Sequence, residues 1–207
     1  MKRIRIILAI FIISSCSDDN KQVNGDLDNT FTEQSSEEKL ANEKYLRKKE
    51  KLISDGWQDR NNENGQFPTC YNFTPQKGNL QNSLNVYVGS GTDVAIKVMN
   101  IENEKCVRYV FINSDTDYSI ENIPEGQYYL KIAYGKDWLS KNVNGQCIGK
   151  FVKNPMYEKG DDILDFNKIT TADGYSIPSY SLQLDVVSSG TSNSFDSQNI
   201  SENDFNK

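Results

Sequence analysis

The sequence predicts a mainly β protein, an antiparallel β-sandwich, and three observations carry that expectation. Apolar residues alternate by twos through several short runs within residues 79–187. Gly89-Ser90-Gly91, Asn113-Ser114-Asp115, Pro124-Glu125-Gly126 and Gly135 punctuate those runs at intervals suited to short strands. Val, Ile, Tyr and Phe are concentrated in this middle region, while Asn, Ser, Asp, Glu and Lys dominate both ends. Of 207 residues, roughly 110 are left to build a core, enough for one compact domain.

The strands follow from the pattern. In SLNVYV, Leu84, Val86 and Val88 share a face, and in TDVAIKV, Val94, Ile96 and Val98 do so with Asp93 and Lys97 opposite. CVRYVFI is apolar on nearly both faces, which suits a central strand. QYYLKIAY sets Tyr128, Leu130, Ile132 and Tyr134 against Gln127 and Lys131. YSLQLDV sets Leu182, Leu184 and Val186 against Gln183 and Asp185. KDWLSKNVNGQCIGKFVKNPMYEKGDDILDFN reads as a long irregular stretch that leaves the strand order after Gly135 open.

The flanks read differently. MKRIR is a cationic start, residues 6–13 are apolar, and two serines precede Cys16, the layout of a secretory signal over residues 1–15. The apolar run is far shorter than the roughly 18 to 20 residues a membrane span needs. Residues 16–35 are too polar to bury a core and read as a flexible tether. Residues 36–55 read as a helix, with Ser35 and Glu38 spaced as a capping box and Gly56 placed to end it. Its sparse apolar stripe suits a solvated stalk more than a partner-binding face. Residues 56–79 read as an irregular linker, residues 80–187 as the sandwich, and residues 188–207 as a disordered polar tail.

Two resemblances add to this reading. Ile13-Ser14-Ser15-Cys16 resembles the lipobox of bacterial lipoproteins, and Ser17-Asp18-Asp19-Asn20 resembles the acidic export signal of Bacteroidetes lipoproteins. The resemblance implies that Cys16 is lipidated and becomes the mature N-terminus. It would hold the protein at the outer membrane, on its periplasmic or cell-surface face. Several acyl chains anchor stably where one is marginal. Asn122-Ile123-Pro124-Glu125-Gly126-Gln127-Tyr128-Tyr129-Leu130 resembles the strand-turn-strand signature of carboxypeptidase regulatory-like, or transthyretin-like, β-sandwich domains. That resemblance, over about residues 80–135, implies an accessory, spacer or binding module without catalysis of its own.

Composition narrows the chemistry. The net charge is −6, and removal of Lys2, Arg3 and Arg5 with the signal leaves 20 of the 23 basic side chains against 29 acidic ones, or −9. An acidic surface without a basic aromatic cluster speaks against nucleic acid as a partner. The chain has no histidine, which removes histidine-based triads, metal sites and pH switches.

Beyond Cys16, the cysteines Cys70, Cys106 and Cys147 allow at most one disulfide, with three possible pairings, or buried free thiols. Trp138, Tyr134 and Tyr157 are the candidate binding residues, a platform for sugar rings or a partner protein. The competing reading has the same rings capping the sandwich. Asn113-Ser114-Asp115-Thr116-Asp117 imitates the start of a calcium loop but lacks its glycine and distal glutamate, so a polar turn is favoured. Gly160-Asp161-Asp162 with Asp165 could gather oxygen ligands beside a short strand.

The expectation is a lipid-anchored, non-enzymatic envelope protein with no metal and no cofactor. It contacts the membrane through Cys16 and binds an envelope protein or glycan through its sandwich. The alternatives are a carboxylate-based glycan hydrolase, which needs two acids roughly 5 to 9.5 Å apart in one cleft, and a small-ligand or calcium-binding module.

Overall fold

The protein is mainly β, with fourteen strands and two helices among the described residues. The computed structural model describes residues 27–68, 73–187, 190–191 and 193–207. The signal segment, Cys16, most of the expected tether and Cys70 lie outside the described residues. Among those described, no helix is long and apolar enough to cross a membrane.

Helix α1 spans Leu27–Ser54 and contains neither Gly nor Pro. It therefore begins inside the stretch expected to be a tether, and the Ser35/Glu38 pair lies within it rather than at its start. It ends as expected at Gly56, whose φ of 89° is left-handed. Gly56 N–H donates to Ile53 O and Trp57 N–H to Leu52 O, the paired bonds of a Schellman cap. The chain divides within this helix into units of residues 1–41 and 42–207. In the second unit Tyr45 and Leu52, seven residues apart and so on one face, pack with Trp57, Leu139, Val152 and Ile148. Lys49 pairs with Asp59 at 2.7 Å and Asp137 at 3.7 Å.

The strands are β1 (Gln58–Asp59), β2 (Ser83–Val88), β3 (Asp93–Asn100), β4 (Cys106–Ile112), β5 (Thr116–Glu121), β6 (Gln127–Val143) and β7 (Gln146–Gly160). There follow β8 (Leu164–Asp165), β9 (Ile169–Thr171), β10 (Gly174–Ser176), β11 (Tyr180–Leu184), β12 (Val186–Val187), β13 (Gly190–Thr191) and β14 (Ser197–Asn199). One sheet runs β14-β7-β6-β3-β4, with β1 and β8 also paired to β6; the other runs β11-β2-β5. Strands β9 with β10 and β12 with β13 form separate two-stranded pairs. Pairing is antiparallel except between β11 and β2, which run parallel. Strand β11 returns beside β2 after a long excursion through β6 and β7, not through a tight hairpin.

The alternating residues face one another between the sheets. Leu84, Val86, Val88, Ile120, Leu182 and Leu184 from the smaller sheet meet Val94, Ile96, Val98, Val110, Leu130, Ile132 and Tyr134 from the larger one. The larger sheet is buried on its other face as well, by Ala95, Tyr109, Phe111, Ala133, Trp138, Phe151 and Tyr157 packed with Phe205. Double burial explains why CVRYVFI, Arg108 apart, is apolar on both faces.

The stretch after Gly135 is not irregular: it is one long hairpin, β6 and β7, closed by Asn144 (φ 54°) and Gly145 (φ 83°). Two positive φ values in a two-residue loop match the right-handed twist of the strands, and Asn-Gly supplies them at little cost. The alternation is hidden because the register shifts between Tyr134 and Lys136. Ala133 and Trp138, an odd number of residues apart, consequently share one face. Gly135 (φ 152°) is required at the shift, since a Cβ there would collide with Phe151 and sit 2.9 Å from Lys153 O.

The linker and tail are also ordered where described. Gly65 N–H donates to Phe111 O, Phe111 N–H to Gln66 O and Gln76 N–H to Val107 O, so this segment runs along the outer edge of β4. The expected disordered tail instead supplies β14 and helix α2 (Glu202–Asn206), which Ser201 caps by accepting from Asp204 N–H. Phe205 is fully buried on the larger sheet. Apolar burial of a single aromatic ring, with the hydrogen bonds beside it, orders a segment whose average composition is polar.

Candidate functional site

The candidate site is a cleft of about 270 Å³ at the open edge of the sandwich, where β2 and β11 of one sheet face β6, β7 and β8 of the other. Its walls are Leu84, Leu130, Leu164, Leu182, Tyr180 and Phe195. Its polar groups are Asp162, Ser181 and Ser194, and Ile163, 58% exposed, stands at the rim.

Local hydrogen bonds place each wall. Tyr180 Oη donates to Asp165 O at 2.9 Å and accepts from Asp165 N–H at 3.0 Å, which fixes β8 to β11. Ser194 Oγ accepts from Gln183 N–H, and Ser194 N–H donates to Gln183 O, so the tail lies along β11 and carries Phe195 into the cleft. Gly160 gives that ring room: a Cβ would approach it to 3.2 Å.

One residue before Ser194, Asn193 joins a buried polar cluster. Its Nδ2 donates to Glu158 Oε2 at 2.8 Å, and Tyr134 Oη donates to the same oxygen at 3.0 Å. Burial first, and the Glu158 charge second, raise the Tyr134 phenol far above its ordinary pKa. It stays a neutral donor, and the Glu158 side chain, at 4% exposure, accepts from both Tyr134 and Asn193. The cleft can thus take an apolar group, with hydroxyls and one carboxylate to orient a polar end.

None of the three rings singled out from the sequence forms an exposed platform. Tyr134 is 1% exposed between the sheets. Trp138 (3% exposed) lies on the opposite face, 4.9 Å from Phe151 and against Gly149. Tyr157 (8% exposed) packs 5.6 Å from Phe205 on that same face, with its hydroxyl 3.4 Å from Glu202. The correction follows from the hairpin: these residues sit in continuous strands covered on both faces, not in loops. Trp138 and Tyr157 are brought together, and Tyr134 is separated from them by the sheet.

Cys147 is disulfide-bonded, and Cys106 carries a free thiol. Burial pushes the Cys106 thiol up to about 11, away from a reactive thiolate. The calcium-like run Asn113–Asp117 is the turn joining β4 to β5 together with the first two residues of β5. Thr116 Oγ1 donates to Asn113 O at 2.6 Å, and Asn64 Oδ1 accepts from Asn113 N–H. Asp161 accepts from Gln198, Asp162 from Asp196 N–H and Asp165 from Gln127 and Asn167. Among the described residues, no group of three or more acids and cysteines converges as a metal site.

Sequence reasoning missed Ser194 and Phe195 because the tail's mean composition is polar. The signal present was Phe195, Ile200 and Phe205 at intervals of five, with Ser201 three residues before Asp204. Comparison with protein-family models, with curated proteins and with solved structures found no match to this chain.

Proposed function

We propose that the chain is a lipid-anchored cell-envelope protein whose β-sandwich is a non-catalytic accessory module of the carboxypeptidase regulatory-like kind. Cys16 tethers it to the outer membrane, and the edge cleft receives an apolar side chain of a partner protein. The cleft is the observation that carries the binding part: apolar walls from both sheets, open to solvent, beside the exposed Ile163. The cationic start, the apolar run and Cys16 in sequence support the anchor. Burial of Tyr134, Trp138 and Tyr157 removes the ring surfaces a glycan would stack upon, which favours a protein partner.

Replacement of Cys16 by Ser should move the protein from the membrane fraction to the soluble fraction; retention on the membrane refutes the tether. A photoreactive residue at Ile163 should give a discrete adduct in intact cells, and Ser181→Trp, which fills the cleft, should suppress it. An adduct indifferent to Ser181→Trp places the contact elsewhere.

A further inference from the structure

Arg108 on β4 is 5% exposed and makes no ion pair among the described residues. Its Nη1 donates to Val107 O at 3.0 Å, and its Nη2 to Glu121 O at 3.2 Å and Asn122 O at 2.8 Å. All three acceptors are neutral carbonyls. A guanidinium has five N–H groups, so two remain without a protein partner among the described residues. Burial is the main influence on this group and lowers its pKa, since the charged form is poorly solvated. A buried charge satisfied only by dipoles leaves a favourable place for an anion.

Arg108 forms part of a recess of about 230 Å³ between Gly65, Phe67, Pro75 and Lys77 on one side and strands β4 and β5 on the other. Phe67, Pro75, Val110 and Ile120 supply apolar wall, and Tyr118 and Ser119 supply hydroxyls. The other charged side chains on its lining are Lys77 and Glu121, both exposed. The recess therefore carries a net positive charge in a chain whose total is −6.

From this placement we infer that the recess is a binding site for a small carboxylate on an apolar body, with Arg108 as the group that recognises the anion. A carboxylate matches one guanidinium in charge, and its hydrocarbon part matches the walls. A phosphate dianion carries more charge and more acceptor oxygens than one buried guanidinium and an apolar lining can serve. This site is distinct in its residues from the edge cleft and does not rest on the function proposed for it.

The test is titration of the full chain with hexanoate, hexanamide and inorganic phosphate, followed by amide and guanidinium NMR shifts. Hexanoate should saturate and shift the Arg108 Nε–H and the amides of Tyr118 and Asn122, while hexanamide should leave them unmoved. Arg108→Gln should weaken hexanoate about tenfold or more, as expected for loss of a charge-assisted contact. Lys77→Ala, an exposed change that leaves the fold intact, should weaken it by about threefold, as expected for an exposed charge. If Arg108→Gln does not fold, hexanamide and Lys77→Ala still decide the matter. Equal shifts with hexanamide, phosphate binding at the same residues as tightly as hexanoate, or no saturable shift at all would each overturn the assignment.

Discussion

The ammonium of Lys97 donates a 2.7 Å hydrogen bond to the backbone carbonyl of Phe205 and stands 4.8 Å from the centroid of the same residue's ring. Beside it, Lys131 Nζ donates to Asp204 O, also at 2.7 Å. Carbonyls at the end of a helix have no intrahelical partner and carry partial negative charge. Two lysines of the larger sheet thus hold the last turn of α2, while Asn206 accepts from Gly149 N–H and donates to Gly149 O.

Phe205→Ala should destabilise the protein by about 3–5 kcal/mol, because a fully buried ring leaves a cavity among Tyr109, Trp138 and Tyr157. Urea denaturation measures this. A loss well under about 1 kcal/mol would mean that the tail contributes little to the core.

Lys97 and Cys106 should oppose one another in alkaline solution. Burial lowers Lys97 from 10.5 to about 8, so the unfolded chain binds more protons between those values and stability rises with pH across that window. Burial raises Cys106 from 9.0 to about 11, so its contribution is present below pH 9 and lost as pH climbs towards 11. In Cys106→Ala, stability should keep rising from about pH 8 to about 9.5, by roughly 1–2 kcal/mol, and turn down as the phenols of Tyr134 and Tyr157, raised by burial, ionise in the unfolded chain. In Lys97→Met that rise should vanish and only the decline above pH 9 should remain. Urea midpoints across this range separate the two.

Gly149→Ala should cost about 1–3 kcal/mol by overpacking, since the new methyl would overlap the Trp138 ring. Tryptophan emission should report the displaced indole. At Gly91, where a Cβ meets nothing within 4 Å, Ala should cost only the strain of its positive φ and leave the emission unchanged.

Trp138→Ala should destabilise by about 3–5 kcal/mol, because the indole packs against Phe111, Phe151 and Phe205. A partner-binding indole would behave in the opposite way, with capture lost and stability kept. Calorimetry and a capture assay on the same variant distinguish them.

Asn82→Ala should cost about 2–4 kcal/mol. The buried amide accepts from Ile123 N–H at 2.7 Å and donates to Ile123 O at 2.8 Å, so truncation strands two backbone groups. Asn82→Asp should recover one of the two bonds yet bury a charge, and should not restore the melting temperature.

Much of the sandwich was legible in the residues. Leu84-Val86-Val88, Val94-Ile96-Val98 and Leu182-Leu184 alternate and face the core as the pattern requires. The long hairpin was legible in principle, through Asn144-Gly145, but strands buried on both faces lose their alternation and the shift at Gly135 breaks the period. The candidate site was not legible. Its walls come from Leu84, Leu130, Leu164, Leu182 and Phe195, which no local pattern links.

By itself the chain's order of residues determined that it would be mainly β, where its central strands run, and that α1 would stop at Gly56. Those outcomes depend on side-chain period and on single-residue dihedral preference, both local. Only the tertiary structure decided that Trp138 and Tyr157 are core, that the polar tail is pinned by Phe205, and that Arg108 is buried with neutral carbonyls as its hydrogen-bond partners among the described residues. Those depend on which surfaces meet, and a sheet face reads the same in sequence whether water or another segment covers it.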